Sequence, residues 1–102
     1  MKIHDKEVGF TWSVGAFCDY NDYVVAHPDV SVATAELYKA EFMSRAYAKA
    51  NEGAEVITVE ELRSMMLYEL KDVRDAVKAA EDAGNKRTVE TVDTGKKRAK
   101  SN

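Results

Sequence analysis

The stretch from Thr58 to Gly84 constrains this chain most, because its apolar residues recur at helical spacing over a length that one small body cannot cover. Thr58 with Glu61 three residues later predicts a capping box: the threonine hydroxyl accepts from the Glu61 amide, and the glutamate reaches back to the Thr58 amide. Leu62, Met66, Leu70, Val73, Val77 and Ala80 fall on one stripe, with Arg63, Glu69, Asp72, Arg74, Asp75 and Lys78 mostly opposite. Gly84 is the expected end, since a residue just past a helix often needs positive φ. Such a helix would run on the order of 39 Å at ~1.5 Å per residue. Part of its stripe is therefore expected to be spare surface.

The residues before it read as a hairpin and two helices. Ile3, a polar Asp5-Lys6 turn, and Val8, Phe10 and Trp12 at period two place large apolar groups on one strand face. Two strands alone are marginal, so that face is expected to lie on a helix, with Trp12 as anchor. Ser13 is the expected N-cap of a helix whose apolar side is Val14, Phe17, Cys18, Tyr20, Val24 and Val25, stopping by His27 because Pro28 disfavours helix in the residue before it. Gly15 within it points to a close approach by the hairpin backbone. Ser31 to Ala50 forms the second helix. Its stripe is Ala35, Tyr38, Phe42, Ala46 and Ala50, widened by Met43 and Tyr47, while Glu36, Lys39, Glu41, Arg45 and Lys49 face water. Asn51-Glu52-Gly53 closes it. Leu37, Met65 and Leu67 fall off the stripes, which is a hint of self-association or of a partner helix in a groove.

The fold class expected is α+β, mainly α: a short N-terminal β-hairpin on a three-helix body in residues 1–84, then a disordered basic tail in 85–102. The tail carries six basic and two acidic side chains and offers only Val89, Val92 and Ala99 to a core, too little to offset the entropy of ordering it. Taking its +4 from the chain's −3 leaves −7 on residues 1–84. An acidic body does not favour nucleic acid. No run of apolar residues is long enough to span a membrane and no signal peptide opens the chain, so a cytoplasmic location is expected. The lone Cys18 fits a reducing compartment.

A search for chemistry returns little. Cys18 and His27 could form a nucleophile and base, but nothing else of a cysteine-hydrolase signature surrounds them. Cys18 reads better as an apolar filler, and His27 as a cap on the first helix. Asp19 and Asp22 without further oxygen ligands make a poor cation site. One cysteine with His4 and His27 assembles no zinc site, and Gly9 and Gly15 are not placed as a phosphate loop. No catalytic residue, cofactor or metal is assigned. The five tyrosines at helical spacing read as core and rim. By elimination, the chain reads as a binding protein and not as an enzyme.

The run Lys6-Glu7-Val8-Gly9-Phe10-Thr11-Trp12-Ser13-Val14-Gly15-Ala16-Phe17-Cys18 resembles the small tail assembly chaperones of long-tailed (siphovirus-type) bacteriophages and prophages. Several of these open with a short hairpin and a Val-Gly-Ala-like entry into a helix. The resemblance extends loosely over the acidic helical body and the lysine-rich end. It implies a non-enzymatic viral protein of the host bacterial cytoplasm that binds the tape measure protein, keeps its apolar helices soluble during tail assembly, and is absent from the finished particle. It also implies a programmed frameshift near the end of the gene, and Gly95-Lys96-Lys97 is the kind of peptide that an A-rich slippery site encodes.

On this reading Tyr38, Phe42, Met43, Met65, Met66 and Leu67 are the expected partner contacts, the methionines adapting to varied surfaces. The alternative is an oligomeric virion component, such as a connector or tail-completion protein, whose stripes bury in a permanent ring as a homo-oligomer. A regulator that binds nucleic acid through the basic tail is a third reading, and it would show salt-sensitive binding.

Overall fold

The structure is a computed structural model that describes the backbone of residues 1–96 and the side chains of residues 1–86. It is mainly helical behind a short hairpin. The order is β1 (Lys2–Ile3), β2 (Lys6–Glu7), α1 (Val14–Ala26), α2 (Val32–Ala50), α3 (Val59–Arg63) and α4 (Leu67–Lys96).

The hairpin pairs Lys2 with Glu7 and Ile3 with Lys6, antiparallel. Its turn is therefore His4-Asp5, one residue earlier than the sequence indicates. Both turn residues have positive φ, 47° and 71°, the left-handed pair whose twist suits a two-residue hairpin. Asp tolerates this conformation because its short side chain can bond locally. Pairing stops at Glu7, yet the alternation beyond it still describes one face: Val8 is buried and Phe10 packs against the core. That segment lies on α2 instead of extending a strand, with the Thr11 amide donating to the Met43 carbonyl (3.1 Å).

The predicted caps of α1 and α2 form. Ser13 Oγ accepts from the Ala16 amide (3.2 Å), and Ser31 Oγ from the Thr34 amide (3.1 Å). At the far end of α1 the His27 amide and ring nitrogen both reach the Tyr23 carbonyl (3.0 Å each), which is the capping role read for it. The buried face of α1 is not the predicted one. Ala16 is buried and Tyr20, Tyr23 and Val24 are half-buried, whereas Val14 and Val25 are 79% and 80% exposed and Cys18 is also outside. Apart from Asp19, Asn21 and Asp22, the residues of α1 are small or apolar, so spacing alone leaves its inward face broadly defined. On α2 the core residues are Ala35, Ala40, Met43 and Ser44, while Ala50 is exposed. The chain leaves α2 through Gly53 at φ +91°, a conformation that favours glycine.

The single long helix read from Thr58 is two helices. The capping box forms in full, but α3 lasts five residues and the chain turns at Ser64–Met66 before α4 begins. Neither glycine nor proline makes this joint. Ser64 Oγ donates to the Glu61 carbonyl (2.7 Å), closing α3, and the Glu69 carboxylate accepts from the Met66 amide (2.8 Å), opening α4. The turn shifts the stripe by one residue. Met65 packs against the core, and Met66, assigned to the stripe by spacing, is 61% exposed.

Gly84 does not end α4, which continues to Lys96. Residues 85–96, read as the start of a disordered tail, continue the α4 backbone helix, whereas the side chains beyond Lys86 and residues 97–102 lie outside what the structure describes. Gly84 has a tertiary reason instead. A Cβ there would sit 2.8 Å from the Trp12 carbonyl oxygen and 3.0 Å from Trp12 Cβ, so α4 crosses the Trp12 backbone at a distance only glycine permits. Gly15, read as the close approach, has open space around it, with only Ser13 Oγ near, at 3.8 Å.

These two glycines respond oppositely to the same change. Gly15→Ala is expected to stabilise the fold by up to about 1 kcal/mol through helix propensity. Gly84→Ala has the same propensity gain available but forces the helix off Trp12, so it is expected to destabilise by roughly 1–3 kcal/mol. Urea denaturation of both variants measures the two signs.

Candidate partner-binding groove

α4 is held against the body at two places. Near its start Val73 is buried in the core with Leu70 and Val77 beside it, and near residue 84 it rests on Trp12. Between α2 and this part of α4 lies an open groove of about 550 Å³. Its floor is apolar: Leu37 from α2 and Leu70 and Val77 from α4 are half-buried along it, and Ala40 and Val73 behind them belong to the core. Leu67 lines one end and is 85% exposed. From Leu67 to Glu81 the groove follows about 21 Å of helix at ~1.5 Å per residue.

The rims are charged. Lys71, Arg74 and Lys78 stand along the α4 side, with Glu36 opposite on α2. Arg74 reaches Glu36 across the groove at 3.5 Å, an exposed pair of a kind that contributes ~0–1 kcal/mol. Lys71 pairs with Asp75 (2.9 Å) and Lys78 with Asp82 (3.6 Å), each four residues on. The hydrogen bond that Lys71 donates to Asp75 raises its ammonium above the ordinary lysine range.

The closed end of the groove is built around Lys39, which the pattern of α2 assigns to solvent. Its ammonium lies 5.2 Å from the Trp12 ring centroid and 4.8 Å from that of Tyr20, cation–π contacts, and donates to Glu81 (2.8 Å). One side chain thus joins the N-terminal segment, α1, α2 and α4.

The six expected contact residues do not form one surface. Met43 is 0% exposed, so it serves the core and touches no partner. Tyr38 stacks on Tyr23 at 4.0 Å, and Phe42 meets the same ring edge-on at 6.3 Å; both are half-buried under α1. Desolvation there, followed by the Tyr38 hydroxyl, raises the Tyr23 phenol. Met65 packs inward. Met66 and Leu67 remain outside, joined by Tyr68 at 77% exposure, and of the six only Leu67 lines the groove. The floor residues Leu70, Val73 and Val77 carry the very stripe read from sequence, and Leu37 was the residue off stripe on α2. The stripes were visible; the gap between them was not.

Among the described residues no group of three or more His, Cys, Asp or Glu side chains could hold a metal ion. No helix there is long and apolar enough to cross a membrane. No family model, curated protein or solved structure matches the chain.

The start of α3, just before its joint with α4, depends on Glu61. Its carboxylate accepts from Lys6 Nζ (2.8 Å) and from the Thr58 amide (3.1 Å), and these bonds hold it below its ordinary 4.5. A depressed carboxyl contributes stability that is present above its ordinary value and is lost as pH falls through the lower one. Glu61→Gln keeps a capping side chain and removes that titration. The loss of stability from about pH 5 downward is therefore expected to be shallower in Glu61→Gln than in the parent, measured by urea unfolding across the acid range.

Proposed function

We propose that this chain is a non-enzymatic binding protein that receives an apolar helix of a partner in the groove between α2 and α4. The observation that carries this reading is a half-buried apolar floor of Leu37, Leu70 and Val77 along the groove, backed by the buried Ala40 and Val73, with the exposed Leu67 at its end. Helix-in-groove recognition uses anchors at this spacing. A small body that leaves such a floor open can hold an apolar helix that would otherwise aggregate.

The resemblance to tail assembly chaperones supplies the partner: a helix of the tape measure protein, held soluble in the host bacterial cytoplasm until the tail is built. A second reading, an oligomeric virion component, is favoured by the outward row on α1, where Val14 and Val25 stand exposed and a ring of copies would cover them. Under that reading, Val14→Asp and Val25→Asp break a closed oligomer seen by light scattering.

Leu67→Glu tests the groove with little risk to the fold, because an exposed position usually changes stability by no more than ~0.5 kcal/mol. Co-expressed tape measure protein is expected to stay soluble with the parent and to precipitate with Leu67→Glu, whose thermal unfolding stays unchanged. Equal solubility with both proteins would place the contact elsewhere.

A further inference from the structure

The groove is chemically unlike the body that contains it. Residues 1–84 hold nine lysines and arginines and sixteen aspartates and glutamates. Four of those nine cations line the groove, namely Lys39, Lys71, Arg74 and Lys78, against three of the sixteen acids, Glu36, Asp75 and Glu81. Lys39 is committed to Glu81 and the two aromatic rings. The other three, each in an exposed ion pair that an incoming acid can replace, stand on α4 at spacings of three and four residues, a single row beside Leu70, Val73 and Val77. Their side chains are 75%, 63% and 79% exposed, so a helix lying on the floor would meet them along one flank. The opposite wall, on α2, offers Glu36 and the committed Lys39.

We infer that the partner helix is amphipathic and asymmetrically charged: an apolar stripe for the floor, with a row of aspartate or glutamate along the flank that meets α4. The inference rests on the groove reading above and specifies its ligand. Rim charges act mainly on specificity and on the rate of encounter, and an acidic body would repel an acidic helix everywhere except at this row. Arg74 is the central member. It exchanges its weak contact with Glu36 for an acid on the incoming helix, which frees the mouth of the groove as the helix enters.

Three synthetic helices of about 15 residues, matched to the ~21 Å of groove, test this with the full chain. All carry the same leucine stripe, and one flank is glutamate, glutamine or lysine. Titrations followed by fluorescence anisotropy are expected to rank them glutamate, glutamine, lysine, with about tenfold between the first and last, or ~1.4 kcal/mol. The ranking is expected to flatten at 1 M salt, where charges are screened beyond ~3 Å. Lys71→Gln with Arg74→Gln and Lys78→Gln is expected to abolish the ranking while keeping binding, and Lys71→Glu with Arg74→Glu and Lys78→Glu to invert it. Far-UV circular dichroism checks that each variant is folded. Equal binding of the three peptides, lost in Leu67→Glu, would overturn the charge inference and leave the groove reading standing. Binding by none of them would overturn both. A dimer that the peptides dissociate would also overturn it, by showing that a second copy fills the groove.

Discussion

The structure depends on how the connector between α2 and α3 satisfies its backbone. Ile57 is fully buried in a stretch with no helix or strand to absorb its polar groups, and a buried amide left alone costs about 1–3 kcal/mol. Ser44, also fully buried, solves this: its Oγ accepts from the Ile57 amide (3.1 Å) and donates to the Glu41 carbonyl (2.9 Å). Glu41 takes the Val59 amide (2.8 Å), Lys6 reaches the Val56 carbonyl (3.2 Å), and the Glu55 amide bonds the Glu7 carbonyl (2.8 Å). The hairpin and α2 thus grip the connector from two sides. Because α3 starts at Thr58, this grip also sets where α4 begins.

What the sequence made legible is local. Ser13, Ser31 and Thr58 cap helices through bonds to amides three residues away, so the pattern carries its own geometry. The hairpin and the mainly helical class follow from the same kind of signal. The illegible parts are those decided by a distant neighbour. Gly84 resembles a stop only until Trp12 is placed beneath it. Glu41 and Lys39 look like solvent-facing charges until the connector and the aromatic pair come within reach. The break at Ser64–Met66 has no glycine or proline to announce it, and the apolar residues of α1 include the exposed Val14, Cys18 and Val25 as well as those facing inward.

The candidate site divides along the same line. Its floor was present as stripes on two helices, but a groove is a property of the space between elements, and single-helix periodicity is silent about how far apart two helices stand. Met43 illustrates the cost of choosing contacts by residue type: an adaptable thioether fits a promiscuous surface and a core gap equally well, and here it fills the core. Leu67 was found because it fit no stripe. A residue that periodicity cannot use is informative when the body turns out not to need it.

The joint between α3 and α4 has an evolutionary consequence. It is held by two side-chain bonds at exposed positions, Ser64 to the Glu61 carbonyl and Glu69 to the Met66 amide. No glycine or proline is spent on it, and of its three residues Met65 packs against the core. Ser64 and Glu69 are therefore positions at which the joint can change without touching the packing around Ile57, while Val73 and the crossing of Gly84 over Trp12 keep α4 in place. A lineage with this architecture can retune the joint by drifting at these two positions.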